Sequence, residues 1–179
     1  MITEFGVSYR LYDNSKVQSF DKFPVDGGYS SWEVGLMKNV AERHAVGLGL
    51  FTGIEWRSGG AGLGWGVKPR YRYWINRDLA LDLSPGLLLD ATEGSFNPPG
   101  FTGSVSLGIK ELLILTSSVE VNRFVGYNYS NSSQPVEEER VSLYLGAKAG
   151  SGLGAITGSV AAVAVVVGVM IALSSLTVL

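Results

Sequence analysis

The sequence predicts an all-β fold: an eight-stranded antiparallel up-and-down β-barrel followed by one C-terminal hydrophobic α-helix. Three observations carry this. Eight segments alternate between bulky apolar residues on one face and glycine, serine or charge on the other. The connections between them alternate in length. The final stretch, Ala155–Leu179, contains no charged residue.

The alternation is clearest from Arg43 onward. His44, Val46, Leu48, Leu50, Thr52, Ile54 and Trp56 share one parity, and Ala45, Gly47, Gly49, Phe51, Gly53, Glu55 and Arg57 the other. The following stretch repeats it, with Leu63, Trp65, Val67, Pro69, Tyr71 and Tyr73 set against Gly62, Gly64, Gly66, Lys68, Arg70 and Arg72. Side chains on a strand point alternately to opposite sides, so each segment is a two-faced strand. The expected strands are Glu4–Tyr12, Tyr29–Met37, Arg43–Arg57, Ala61–Ile75, Leu79–Asp90, Phe101–Ile109, Leu112–Arg123 and Arg140–Lys148.

Short turns are expected near Asn39–Glu42, Asn76–Asp78 and Lys110–Glu111. Longer polar connections are expected at Asp13–Gly28, Thr92–Gly100 and Phe124–Glu139, with Ser58–Gly60 a shorter member of that set. Alternate connections of a meander lie at opposite ends, so one end is trimmed and the other decorated. Closing eight strands into a ring removes the exposed edges of an open sheet.

The chain divides into a barrel domain (1–149), a Gly-rich linker (150–154) and a membrane-spanning or membrane-anchoring helix (155–179). About 20 apolar residues of helix cross a bilayer core, so the tail is long enough. Gly154 and Gly158 have the spacing that lets membrane helices approach closely. Met1–Glu4 has no basic region leading into an apolar run, so no secretory leader is expected in these residues.

Which face points inward follows from residue size. Gly6, Ser8, Gly35, Gly47, Gly49, Gly62, Gly64, Gly66, Ser104, Ser106 and Gly146 share a face with Glu4, Arg10, Glu33, Glu55, Lys68, Arg70, Arg72, Asp82, Glu120 and Arg140. Small residues inside a narrow barrel leave room for long charged ones, and the mixture of signs supplies the partners that buried charges need. Glu55, Lys68, Arg70, Arg72, Asp82, Glu120 and Arg140 are therefore expected to form an interior charge network, with Lys68, Arg70 and Arg72 pairing to Glu55 and Asp82 of flanking strands. Tyr9, Trp32, Trp56, Trp65 and Phe101 fall near the long-loop end of the apolar face. Phe5, Tyr71 and Tyr73 fall near the short-turn end. Two aromatic girdles around an aliphatic band match a barrel standing in lipid. The alternative is a soluble barrel with the apolar face inside.

These features resemble the small outer-membrane barrels of the OmpA and OmpX type over residues 4 to 148. The resemblance rests on the meander, the alternating connections, the small-plus-charged face and the girdles. It implies a bacterial outer-membrane setting more than an activity.

Composition limits the chemistry. Without cysteine, disulfides, thiolate metal sites and cysteine nucleophiles are excluded, and one histidine cannot build a multi-histidine metal site. The net charge of -2 gives no electrostatic case for nucleic acid. His44, beside Glu42 and Arg43, is expected to be interfacial rather than catalytic, since no base and orienting group accompany a nucleophile. The glycines from Gly59 to Gly66 alternate within a strand and open no helix, so they make space and cradle no phosphate. Glu137–Glu139 are expected in a solvated loop. Asn128-Tyr129-Ser130 and Asn131-Ser132-Ser133 match glycosylation sequons, but Tyr127 and Tyr129 are read as contact residues of an exposed loop.

No cofactor, metal or small-molecule substrate is expected. The expected partners are the lipid bilayer and one or more membrane proteins. The favoured function is a non-enzymatic membrane barrel with a structural or partner-binding role, associating through its long loops and C-terminal helix. One alternative is an extrinsic barrel anchored by its tail, in the inner membrane, as a scaffold subunit of a large assembly such as a photosynthetic or other bioenergetic complex. A lipid-active barrel enzyme or a lipocalin-like carrier is the second.

Overall fold

Alternating segments can satisfy their backbone only by pairing with neighbours, and in this chain every long strand pairs on both sides. The computed structural model describes residues 1–14, 27–57, 60–92, 95–96, 99–110, 112–127 and 135–150. The strands are β1 (Ile2–Asp13), β2 (Gly28–Ala41), β3 (His44–Arg57), β4 (Gly60–Trp74), β5 (Leu79–Thr92), the two-residue β6 (Ser95–Phe96), β7 (Gly100–Ile109), β8 (Leu113–Tyr127) and β9 (Pro135–Ala149). Their order around the sheet is β4-β3-β2-β1-β9-β8-β7-β5, and β4 also pairs with β5. That last pairing closes eight long antiparallel strands into a barrel. β6 pairs only with the end of β5. The expected helix, residues 155–179, and linker residues 151–154 lie outside the described residues.

The short turns are tighter than their composition indicates. β2 runs on to Ala41, and its register against β3 shifts between Asn39 and Ala41, so Glu42 and Arg43 alone make the reversal. The β4–β5 turn is pinned by Asn76, whose Oδ1 accepts from the backbone N–H groups of Asp78 and Leu79, both at 2.8 Å. At the β7–β8 turn Lys110 adopts a φ of 51°, and Leu112 N donates to Ile109 O at 3.1 Å.

The expected loop Phe124–Glu139 is largely strand. β8 and β9 stay in register from Arg123↔Glu139 to Tyr127↔Pro135. Glu137–Glu139 therefore belong to β9 and not to a loop. A polar sequence stopped the strand on paper, but the ladder is made by backbone groups and extends regardless of side-chain polarity.

The faces sort cleanly. Glu4, Glu33, Arg70 and Asp82 are 2–4% exposed, whereas Leu36, Leu50 and Phe101 are 61–70% exposed. The small interior is packed by the charged parity, with Phe51, Leu88, Ile114 and Tyr144 as its large apolar members. The soluble alternative with an apolar core is thereby overturned.

Candidate functional site

The interior chemistry falls into two groups along the barrel. Toward the short-turn end, Arg70 on β4 gathers three carboxylates from three other strands. Its Nη1 donates to Glu33 Oε1 at 3.1 Å, and its Nη2 to Glu4 Oε1 at 2.9 Å and Asp82 Oδ2 at 2.7 Å. Arg72 grips Asp82 with two donors, Nε to Oδ1 and Nη2 to Oδ2, each at 2.7 Å. Lys148 on β9 reaches Glu33 Oε2 at 3.2 Å and Glu4 Oε2 at 3.4 Å. Arg70 Nε has no hydrogen-bond partner among the described residues.

Toward the long-loop end, Glu55 is the centre. Arg140 donates to its two oxygens at 2.8 and 3.3 Å, Arg10 Nη1 approaches Oε1 at 2.6 Å, and Tyr144 OH donates to Oε1 at 3.0 Å. Asp13 completes the group, 2.8 Å from Arg140 and 3.1 Å from Arg10. Glu120 is buried and lines a small cavity with Tyr29, Glu55 and Asn122. Tyr29 lies against Tyr144 with ring centroids 5.1 Å apart.

Phe51 lies on β3 between the level of Glu33, its register partner on β2, and Glu55. Lys68 Nζ stands 4.0 Å from the centroid of the Phe51 ring. Leu88 is buried beside the inward glycines Gly64 and Gly66. Two small cavities lined by inward residues are about 20 Å³ each, room for one water. Side chains fill this eight-stranded lumen, as its width allows.

One expected pairing is corrected. Glu55 does not meet Lys68, Arg70 or Arg72. Its register partner on β4 is Gly62, eight residues from Arg70, so the two belong to opposite ends of the lumen. Its cation comes instead from Arg140 across the barrel. The residues missed by sequence reasoning are Lys148, Tyr144 and Asp13. Parity counted from Arg140 points to Tyr144 and Lys148. No parity argument finds Asp13, because the β1–β9 register shifts between Arg10 and Tyr12 and this bulge turns Asp13 back toward the lumen.

On the outer wall, Tyr9, Trp65 and Phe101 are exposed near the long-loop end, and Tyr71 near the short-turn end. His44 belongs to the latter group: its Nδ1 is 2.6 Å from Tyr71 OH, and its ring packs 5.2 Å from that of Tyr73. This is an exposed aromatic cluster on the outer wall. His44→Ala should change stability by less than about 1 kcal/mol, since one exposed hydrogen bond and two ring contacts are lost. Thermal unfolding in detergent measures this. Tyr127 is the last residue of β8 and not part of a loop. Tyr129, Gly154 and Gly158 lie outside the described residues.

The fold defines a class: a closed, up-and-down antiparallel barrel with a charged interior and an apolar outer wall. No family model and no curated protein matches the chain. Among solved structures it is similar to the outer membrane protein Ail of Yersinia pestis, determined in phospholipid bilayer nanodiscs: identity is 13%, with 82% of this chain and 98% of that chain covered and a TM-score of 0.40. A crystal structure of the same protein, the attachment invasion locus protein, gives 12% identity, 83% and 95% coverage and again 0.40. Values this low assign neither a family nor an activity.

Proposed function

We infer that this barrel spans a lipid bilayer and works without catalysis, as a structural or partner-binding membrane protein. The observation that carries the reading is the inverted polarity of the wall. Val7, Leu36, Leu48, Leu50, Leu63, Leu83, Leu87, Phe101, Val105, Leu115, Val119 and Leu145 are all exposed and come from every long strand. Monomeric soluble proteins rarely expose a contiguous apolar patch beyond about 300–600 Å², and an apolar belt around a whole barrel needs lipid against it. Eight strands, an even number, joined as hairpins are the form of bacterial single-chain outer-membrane barrels, which supports that location.

The role assigned to the interior charges is structural. Arg70, Arg72, Lys148, Arg10 and Arg140 each face carboxylates at ion-pair distance, so the polar lumen is held by mutual neutralisation. Association is assigned to the long connections and to the apolar tail, with Tyr127, Tyr129, Gly154 and Gly158 as proposed contacts.

The test is extraction. Full-length protein should stay with membranes through high salt and alkaline carbonate, and a chain ending at Gly150 should still need detergent. If the shortened chain is soluble and folded without detergent, the wall does not face lipid, and the tail-anchored extrinsic barrel replaces this reading.

A further inference from the structure

One sector of the outer wall differs from the rest. At mid-height, the outward positions on neighbouring strands run Leu48, Pro69, Pro85, Gly103 and Val119. The pairs Leu48↔Pro69, Pro85↔Gly103 and Gly103↔Val119 are observed directly. Between β4 and β5 the ladder is broken: pairing stops at Val67↔Leu87 and resumes at Tyr71↔Leu83. In that constant register Pro69 stands opposite Pro85, and neither has an N–H to donate. Among the described residues, its chain neighbours aside, nothing lies within 4 Å of where a Cβ on Gly103 would stand. Pro, Pro and Gly thus make a depression of about 630 Å³, walled by Leu48, Val67, Leu87, Phe101 and Val121. On the opposite wall the outward positions are bulky, as at Leu36 and Val34.

We propose that this groove is the docking site of the chain's own apolar tail, with residues 155–179 crossing the same bilayer as a helix laid against β5 and β7. The proposal rests on the lipid-spanning reading above. Three observations select this occupant.

The first is the exit direction. Gly150 N donates to Leu112 O at 2.9 Å, which ties the end of β9 to the β7–β8 turn, on the groove side. The second is reach. β7 lies two strands from β9, about 10 Å around the wall, while residues 150–154 extend to roughly 17 Å. The third is level. Gly103 lies six residues from Ile109 at the short-turn end of β7, about 20 Å along the strand and about 15 Å along the tilted barrel axis. A helix rising about 1.5 Å per residue from Ala155 reaches that height after about ten residues. This brings Ala164, Gly168 and Ala172 to the groove. They recur every fourth residue on one helix face, the spacing that permits close approach in lipid. A helix of this length also spans a core of about 30 Å.

The absence of native cysteine makes the test direct. Gly103→Cys is combined, in the full-length chain, with one cysteine at a time at each position from Ala161 to Ala172. The protein is reconstituted in phosphatidylcholine vesicles and oxidised, and intramolecular disulfides are read by peptide mass spectrometry. Bonds should peak at Ala164 and Gly168 and recur every three or four residues. They should be roughly tenfold weaker when Leu36→Cys on the opposite wall replaces Gly103→Cys, or when Pro85→Trp fills the groove.

Three outcomes would overturn the proposal. Bonds only between chains would make a second copy the occupant. Equal yields from Leu36→Cys and Gly103→Cys would leave the tail without a site. No bond at any position, in protein that resists alkaline washing of the vesicles, would leave the groove to lipid. Protein that washes off instead defeats the lipid-spanning reading itself, so the two failures are distinguishable.

Discussion

Arg70→Ala should destabilise the barrel by about 3–5 kcal/mol, the usual cost of stranding the partners of a buried ion pair. Its side chain is 2% exposed, and the substitution removes a cation shared by Glu4, Glu33 and Asp82. Lys148 remains beside Glu4 and Glu33, and Arg72 remains on Asp82, so the three carboxylates keep partial compensation. That arrangement predicts coupling. In a double-mutant cycle, Arg70→Ala and Asp82→Ala together should cost less than the sum of the two single changes, because the second removes a charge that the first stranded. Thermal unfolding in detergent, followed by far-ultraviolet circular dichroism, reads both results. A parent-like midpoint for Arg70→Ala would mean that the short-turn group does not hold the lumen together.

Gly66→Leu should cost about 3 kcal/mol or more, at or above the top of the usual range for overpacking. A Cβ at this position would meet the backbone carbonyl of Leu87 and the ring of Phe51. The carbonyl is fixed in the β4–β5 ladder and cannot swing aside. Gly64 has the same parity and the same appearance in the sequence. Among the described residues its Cβ would meet the Leu88 side chain, at 3.2 Å, which can move. Gly64→Leu should therefore cost less than Gly66→Leu. Val105→Leu, on the exposed wall, should be close to neutral. If Gly66→Leu and Val105→Leu unfold alike, the polar parity does not face a packed lumen.

The contrast between Gly64 and Gly66 shows where sequence reading stops. Parity placed both glycines inside, but which one abuts a fixed backbone atom depends on how far β4 has slid along β5. The same is true of Glu55. Its inward direction followed from its own strand, while its partner did not. Adjacent strands suggested Arg70, and register put Gly62 there instead.

The strand count, the meander, the alternation of connections and the direction of the charged face were determined by the sequence by itself. These are local properties: the two-residue period of a strand and the length of a connection are both written in consecutive residues. The tertiary structure decided which charges meet, since Arg140 and Glu55 are 85 residues apart and touch only across a closed ring. It also decided that β8 and β9 extend past the point where their composition turns polar, because backbone pairing does not read side chains. Asp13 reached the lumen through a bulge that appears only when β1 is laid against β9. The flat groove at Pro69, Pro85 and Gly103 has the same origin. Three unremarkable residues from three strands become one surface only when closure sets them in a row, and which residues line up depends on the register between strands, which no local pattern encodes.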